Sequence, residues 1–264
     1  MPLSFLLAGY DNVLLDLDGC VWVGDSPTPG APEALAELRA AGKGIGFLTN
    51  NSRRSPEDYV RKLWSLGIQA SLEEVVTVGS AVQWYLADRE RAGVYVIGSE
   101  ALFRHVSDAG HRILNATRAS GEADLVVVAG HDDFDFRELR EATRSLLRGA
   151  ELVAADRDRT FPSEDGPCPG SGAIVAALEY ATDARATVIG KPQAAIFQSA
   201  LERLPSGRTL VVGDRLDSDL AGAASAGLDA AIVLTGVTRR EEALAAADPA
   251  PVAIADDLHS LVGR

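Results

Sequence analysis

An apolar run, Val13-Leu14-Leu15, ends in Asp16-Leu17-Asp18-Gly19. Side chains alternate across a strand, so Asp16 and Asp18 can project to one side with Leu17 opposite. Gly19 lets the chain turn sharply after them. Two carboxylates this close repel each other unless a cation or a proton intervenes. That points to Mg²⁺, which prefers oxygen, needs few protein ligands and keeps several waters. Taken alone, the segment also has a lesser reading as a turn former or a helix cap.

Three further strand ends carry complementary groups. Phe47-Leu48-Thr49-Asn50-Asn51-Ser52 offers a hydroxyl and turn N–H groups that can hold phosphate oxygens, although it is also an ordinary turn sequence. Val188-Ile189-Gly190-Lys191-Pro192 places one of only three lysines after an apolar run, where it can neutralise a phosphate and a nucleophile together. It is no Walker A loop, because Pro192 follows the lysine and the glycine spacing is absent. Leu210-Val211-Val212-Gly213-Asp214-Arg215-Leu216-Asp217-Ser218-Asp219 puts Asp214 where it can complete a metal site with Asp16 and Asp18, with Asp217 or Asp219 free to cap the next helix. Each signal is weak to moderate alone. Together, Asp-x-Asp, Thr, Lys and Gly-Asp at four strand ends, in this order along the chain, form a set suited to phosphoryl transfer.

The elements that must position these groups follow a βαβα rhythm, as in a parallel sheet covered on both faces. Strands are expected over Asn12–Leu17, Ile45–Leu48 and Val75–Val78, with helices over Pro32–Ala41, Pro56–Leu66 and Ala81–Arg89. The rhythm returns with strands over Thr187–Ile189, Thr209–Val212 and Ala230–Leu234 and helices over Gln193–Arg203 and Ser218–Ala226. Between them, strands over Val94–Ile97, Leu125–Val128 and Leu152–Ala154 alternate with helices over Glu100–Ala109, Phe136–Arg148 and Ser171–Tyr180, interrupted by a Pro/Gly/Asp-rich loop over Asp156–Gly170. Open parallel sheets bind ligands beyond the carboxyl ends of their strands.

Composition narrows the function. The 264 residues are 47% apolar and carry a net charge of −13. No basic stripe is visible, so nucleic acid and anionic membrane are not expected partners. No apolar run approaches the roughly 18 residues of a membrane span. The patch Phe5-Leu6-Leu7-Ala8 lacks a basic leader, so no signal peptide is expected and a cytoplasmic location is. Cys20 and Cys168 form no C-x-x-C pair or zinc spacing, which fits a reduced compartment. In so acidic a chain, a phosphate must be held by local cations or backbone N–H groups.

The four motifs, with the longer segments Gly98-Ser99-Glu100-Ala101-Leu102, Gly170-Ser171-Gly172-Ala173 and Gly213 to Asp219, resemble the haloacid dehalogenase superfamily across essentially the whole chain. The resemblance is to the class with an α/β cap inserted between the second and third motifs, the N-acetylglucosamine-operon-type phosphatases and 4-nitrophenylphosphatases. It implies a doubly wound parallel α/β core over residues 1–80 and 186–264, with an inserted α/β cap over 81–185. It implies that Asp16 attacks phosphorus to form an aspartyl phosphate and that Asp18 protonates the leaving alcohol and then activates water. Thr49, Asn50 and Asn51 would bind the phosphoryl group or substrate, and Lys191 would steady the phosphate and Asp16. Mg²⁺ would be held by Asp16, the backbone carbonyl of Asp18 and Asp214, with Asp219 behind them. The implied partner is a small phosphate ester: glycerol 3-phosphate, 2-phosphoglycolate, pyridoxal 5′-phosphate, a sugar phosphate or a nucleoside monophosphate, with 4-nitrophenyl phosphate as an artificial substrate. A monomer or a homodimer is implied.

The chain departs from the family pattern in three places. Cys20 follows the first motif where Val or Thr is commoner, which raises an oxidation-sensitive role beside simple packing. Trp22 can line the entrance or pack in the core. In Leu152-Val153-Ala154-Ala155-Asp156-Arg157-Asp158, residues 155–157 replace the polar residues and proline of the usual Ala-Thr-Asn-Pro-Asp run. Asp156, Arg157 and Asp158 are therefore candidate specificity residues, and Arg157 or Arg159 can meet an anionic substrate. Asp18 argues against a dehalogenase, which needs no second acid. Chain length argues against a signalling receiver domain, and the intact set Asp16, Asp18, Thr49, Lys191 and Asp214 argues against a descendant that only binds a phosphometabolite.

Overall fold

The first strand, Asn12–Asp16, is buried along its whole length, as a strand at the middle of a parallel sheet must be. The structure is a computed structural model that describes residues 3–163 and 166–263. Glu164 and Asp165, inside the expected 156–170 loop, lie outside the described residues.

Asn12–Asp16 is central to a six-stranded sheet ordered Ala253–Ala255, Asp229–Val233, Thr209–Gly213, Asn12–Asp16, Gly44–Thr49, Val75–Thr77. Both of its neighbours run parallel to it, with Leu14 level with Val211 on one side and Gly46 on the other. Val13 and Leu15 join a core with Leu35, Leu38, Phe47, Leu258 and Leu261. Leu14 turns to the opposite face and lies over Gly46, where a Cβ would stand 2.9 Å from its Cδ1. From Asn12–Asp16 the chain steps outward to Gly44–Thr49 and Val75–Thr77, then resumes on the other side with Thr209–Gly213. This reversal of strand order leaves a crevice beyond the carboxyl ends of Asn12–Asp16 and Thr209–Gly213, where Asp16 and Asp214 stand.

Behind that crevice two segments are pressed together. A Cβ on Gly222 would lie 2.5 Å from Phe197 Cε2 and 3.2 Å from Pro192 Cα. The helix Ala194–Leu201, which follows Lys191, thus packs directly on the helix Ala221–Ser225, which follows Asp219. The expected single helix over 218–226 is in fact a π-helical turn, Leu216–Leu220, running into Ala221–Ser225.

The chain divides into two compact units, Met1–Thr49 with Pro56–Val76 and Lys191–Arg264, and Asn50–Ser55 with Thr77–Gly190. The second unit thus begins a few residues before the expected 81, ends a few after 185, and takes in the short loop 50–55. It holds a five-stranded sheet ordered Thr187–Val188, Glu151–Ala154, Leu125–Val128, Gly93–Ile97, Arg112–Ile113, with all neighbouring pairs parallel. Val126, Val128, Leu152 and Ala154 pack with Ala142, Leu146, Val175 and Leu178 from the helices Phe136–Leu147 and Ser171–Thr182. Asp135 and Glu138 close a capping box on the first of these helices.

Two expectations need correction. Thr187–Val188 is not a strand of the sheet that carries Asp16; it pairs with Val153 and Ala154 at the edge of the second sheet. A short apolar run reports burial, and its periodicity carries no information about which sheet it joins. The expected loop over 156–170 contains an antiparallel hairpin, Thr160–Ser163 with Gly166–Pro169, masked in the sequence by its prolines and glycines. Among the described residues, no helix is long and apolar enough to cross a membrane.

The packing at Gly222 gives a direct test. Gly222→Val should lower the free energy of unfolding by about 1–3 kcal/mol, since Phe197 and the Pro192 backbone must both give way. Urea denaturation measures it, and an unchanged midpoint would contradict the packing described.

Candidate active site

The first strand stops at Asp16, and the turn that follows gives the two acids of Asp16-Leu17-Asp18 different surroundings. Asp16 is buried and Asp18 is exposed. Gly19 has φ +92°, a left-handed conformation that favours glycine, and a Cβ there would fall 2.5 Å from Asp214 Oδ2. Glycine is therefore required both to make the turn and to let Asp214 approach.

Lys191 Nζ donates to Asp16 Oδ1 and, at 2.7 Å, to Asp219 Oδ1. All three side chains are almost fully buried. Asp219 Oδ2 accepts the Arg215 N–H at 3.1 Å, which closes the π-helical turn and aims the other oxygen at the lysine. Asp217 is turned outward and pairs with Arg215 at 2.9 Å. Asp219 thus serves the turn from within, and Asp217 serves an exposed ion pair. Asp214 Oδ2 accepts the Val237 N–H at 2.7 Å, and a Cβ on Gly236 would lie 1.9 Å from that same oxygen. Gly236 and Val237 escaped the sequence reading. The available signal was the break after the apolar strand Asp229–Val233, one more carboxyl end beside the crevice.

Burial raises the Asp16 carboxyl well above the usual range; Lys191 opposes that shift and Asp219 adds to it. Burial likewise raises Asp214, against the Val237 N–H. For Lys191, burial pulls the ammonium down, but Asp16 and Asp219 outweigh it and the net shift is upward. One carboxylate oxygen from each of Asp16, Asp214 and Asp219 lies within 4.8 Å of the others. Three carboxylates face one ammonium, so the cluster lacks two positive charges. Asp214 Oδ1 is buried with no hydrogen-bond partner among the described residues. An oxygen-rich, buried, doubly negative cluster with an orphaned carboxylate oxygen fits a hard divalent cation such as Mg²⁺.

The other candidates are placed as follows. Asp18 Oδ1 accepts the indole N–H of Trp22 at 2.8 Å, so its side chain is turned to the tryptophan and stands outside the triad of acids. Thr49 is buried at the carboxyl end of Gly44–Thr49, one residue beyond the Asp16–Leu48 register pair. Asn50 and Asn51 group with the second unit, where Asn51 Oδ1 accepts the Arg53 N–H at 2.9 Å. Trp22 is fully buried and does not line an open entrance. Cys20 is fully buried too; burial first, then the charges of Asp16, Asp219 and Asp214, push its thiol well up. Oxidation needs an accessible thiolate, so the packing role of Cys20 stands and the redox role does not.

In the second unit, Arg157 pairs with Glu179 through two hydrogen bonds of 3.2 and 2.6 Å. Arg159 and Asp158 are exposed. Asp156 is buried, and its Oδ1 accepts from Ser171 Oγ and, at 3.0 Å, from the Asp158 N–H. Gly172 N–H donates to Asp158 O at 3.0 Å, and a Cβ on Gly170 would sit 2.2 Å from that oxygen. Gly170-Ser171-Gly172 is therefore the platform on which the 156–159 backbone lies. Burial raises the Asp156 carboxyl to about 6, against the Ser171 hydroxyl, with Asp158 adding to it.

The chain is similar to known hydrolases over most of its length. The haloacid dehalogenase-like hydrolase family matches residues 13–112, and a second HAD hydrolase-like family matches residues 188–261. The chain is 39% identical over 256 residues to D-glycerol 3-phosphate phosphatase of Mycobacterium tuberculosis, covering 96% of this chain and 71% of that one. It is 32% identical over 235 residues to 5′-nucleotidase YutF of Bacillus subtilis, covering 88% and 90%. A crystal structure of the Mycobacterium tuberculosis glycerol phosphate phosphatase in complex with magnesium superposes with a TM-score of 0.88 at 38% identity, over 96% of this chain and 77% of that one.

Two outcomes follow from the geometry. Lys191→Met strands like charges in a buried cluster and should cost about 3–5 kcal/mol of stability in metal-free buffer. A urea midpoint equal to that of wild type would refute the pairing. Asp156, whose folded-state value lies above its unfolded one, contributes stability fully present below about pH 4 and lost as pH rises through about 6. Asp156→Asn should remove this dependence, which amounts to at most about 2–3 kcal/mol. A difference between variant and wild type that stays constant from pH 4 to 7 would exclude the buried-carboxyl reading.

Proposed function

The chain belongs to the haloacid dehalogenase-like hydrolases, among the class IIA phosphatases, and from that footing we propose that it hydrolyses a small-molecule phosphate monoester through an aspartyl phosphate on Asp16, with Mg²⁺ as cofactor. The observation that carries the reading is the buried cluster in which Lys191 bridges Asp16 and Asp219 while Asp214 Oδ1 has no hydrogen-bond partner among the described residues.

In the first half-reaction an Asp16 carboxylate oxygen attacks phosphorus, the ester P–O bond breaks, and Asp18 gives its proton to the departing oxygen. In the second, water attacks phosphorus, Asp18 takes a proton from that water, and the bond from Asp16 to phosphorus breaks to release inorganic phosphate. Asp16 must be ionised to attack, and burial opposes this. Lys191 offsets the burial by placing its ammonium on the nucleophile, and Asp219 holds Lys191 from its other side. Thr49, at the adjacent strand end, supplies a hydroxyl for the phosphoryl oxygens. Mg²⁺, held by Asp16, Asp214 and the Asp18 carbonyl, would supply charge neutralisation to the phosphoryl group, the dominant need of phosphoryl transfer.

We assign substrate choice to the second unit, with Asp156–Asp158 as its recognition loop, and a cytoplasmic location to the chain. Glycerol 3-phosphate is the first substrate to test, because the Mycobacterium tuberculosis relative is named for it. Nucleoside monophosphates come next, on the likeness to the Bacillus subtilis 5′-nucleotidase.

Asp16→Asn should abolish phosphate release from every ester in a metabolite panel assayed with Mg²⁺, and chelation by EDTA should do the same to wild type. Asp18→Asn should lower turnover by about 10²–10⁴-fold while inorganic phosphate still binds. An Asp16→Asn protein with near-normal turnover would remove the mechanism.

A further inference from the structure

Trp22 has no part in the steps above, yet the structure spends an unusual amount of packing on one atom of it. The indole ring is fully buried, stacks nearly parallel on Tyr59 at 6.2 Å and 8°, and has Lys62 Nζ over it at 4.5 Å. Lys62 is itself tied down, donating to Gly24 O at 2.7 Å across the two-residue hairpin Trp22–Val23 and Ser26–Pro27. The backbone is fixed as well: Trp22 N–H donates to Leu17 O at 3.1 Å, and Gly19 N–H donates to Trp22 O at 2.7 Å. From this rigid mount the one polar atom of the ring, Nε1, reaches Asp18 Oδ1 at 2.8 Å. Asp18 is otherwise exposed, and an exposed carboxylate without such a contact would sample several rotamers.

We propose that Trp22 is a positioning residue for Asp18, fixing both where its carboxyl group stands and which oxygen carries the proton. The indole N–H is a donor only. Oδ1 must therefore act as acceptor toward it, and the transferable proton of the neutral acid resides on Oδ2. In the first half-reaction that proton passes from Oδ2 to the ester oxygen as the P–O bond breaks. In the second, the proton from the attacking water returns to the carboxylate. Trp22 neither gains nor loses a proton in either step. The inference rests on the reading of Asp18 as general acid and base.

Trp22→Phe keeps an aromatic ring against Tyr59 and removes the N–H. Protonation of the leaving oxygen matters more for phenyl phosphate than for 4-nitrophenyl phosphate, whose phenolate departs readily unaided. The ratio of kcat/KM for phenyl phosphate to that for 4-nitrophenyl phosphate, both measured with Mg²⁺ on one preparation, is independent of how much of the variant is folded. Trp22→Phe should lower this ratio about fivefold to tenfold relative to wild type, the scale of one ordinary hydrogen bond. Asp18→Asn should lower it further. A ratio unchanged in Trp22→Phe but lowered in Asp18→Asn overturns the role of Trp22 and leaves the general-acid reading intact. A ratio unchanged in Asp18→Asn overturns the general-acid reading itself.

Discussion

The site depends on one buried ammonium shared by two carboxylates. A carboxylate without a cation would be costly at this depth, and a lysine without an acid equally so. Lys191 between Asp16 and Asp219 satisfies both, and the arrangement holds only while three separate stretches of chain stay in register. Asp16 comes from the end of the central strand, Lys191 from the segment running into Ala194–Leu201, and Asp219 from the π-helical turn ahead of Ala221–Ser225. The close packing of Phe197 and Pro192 on Gly222 brings the last two together. The electrostatics are therefore a consequence of helix packing more than of local sequence.

The cluster is unbalanced in charge. With Lys191 in place it still carries more negative than positive charge, and Asp214 Oδ1 finds no donor among the described residues. Such an imbalance is a poor way to stabilise a fold and a good way to receive a divalent cation and a phosphoryl group. Space for the acids themselves is kept by the absence of neighbouring side chains. Gly19 and Gly236 press on Asp214 from two sides, and Gly213 abuts Asp219, where a Cβ would lie 2.3 Å from Cγ.

The two carboxyls of Asp16-Leu17-Asp18 stand in opposite environments. Asp16 sits in the dry cluster against an ammonium; Asp18 stands outside it, held by a neutral N–H donor. The second unit uses similar materials for a different end. Asp156 is buried, but its partners are a hydroxyl and a backbone N–H, and its nearest strong pair, Arg157–Glu179, ties the loop to the helix Ser171–Thr182. There the acids and glycines fix the path of the 156–159 backbone.

The central strand, the carboxyl-end positions of Asp16, Thr49 and Asp214, and the α/β class were legible in the sequence, because buried parallel strands are continuous apolar runs and their ends are marked by polar residues and glycine. The helices Phe136–Leu147 and Ser171–Thr182 were legible for a similar reason, since amphipathic spacing and caps are local. Thr187–Val188 was not, because its partner strand is set by long-range pairing that a two-residue run cannot encode. Trp22 was visible only as an ambiguous aromatic, and Gly236 and Val237 not at all. Their importance lies in contacts with Asp18 and Asp214 that exist only once distant segments meet. Asp16-Leu17-Asp18-Gly19 by itself determined that two acids would stand at a turn after a buried strand. Tertiary structure alone decided that one of them would be sealed against Lys191 and the other left outside on the indole of Trp22, because burial and charge pairing are properties of the packed chain.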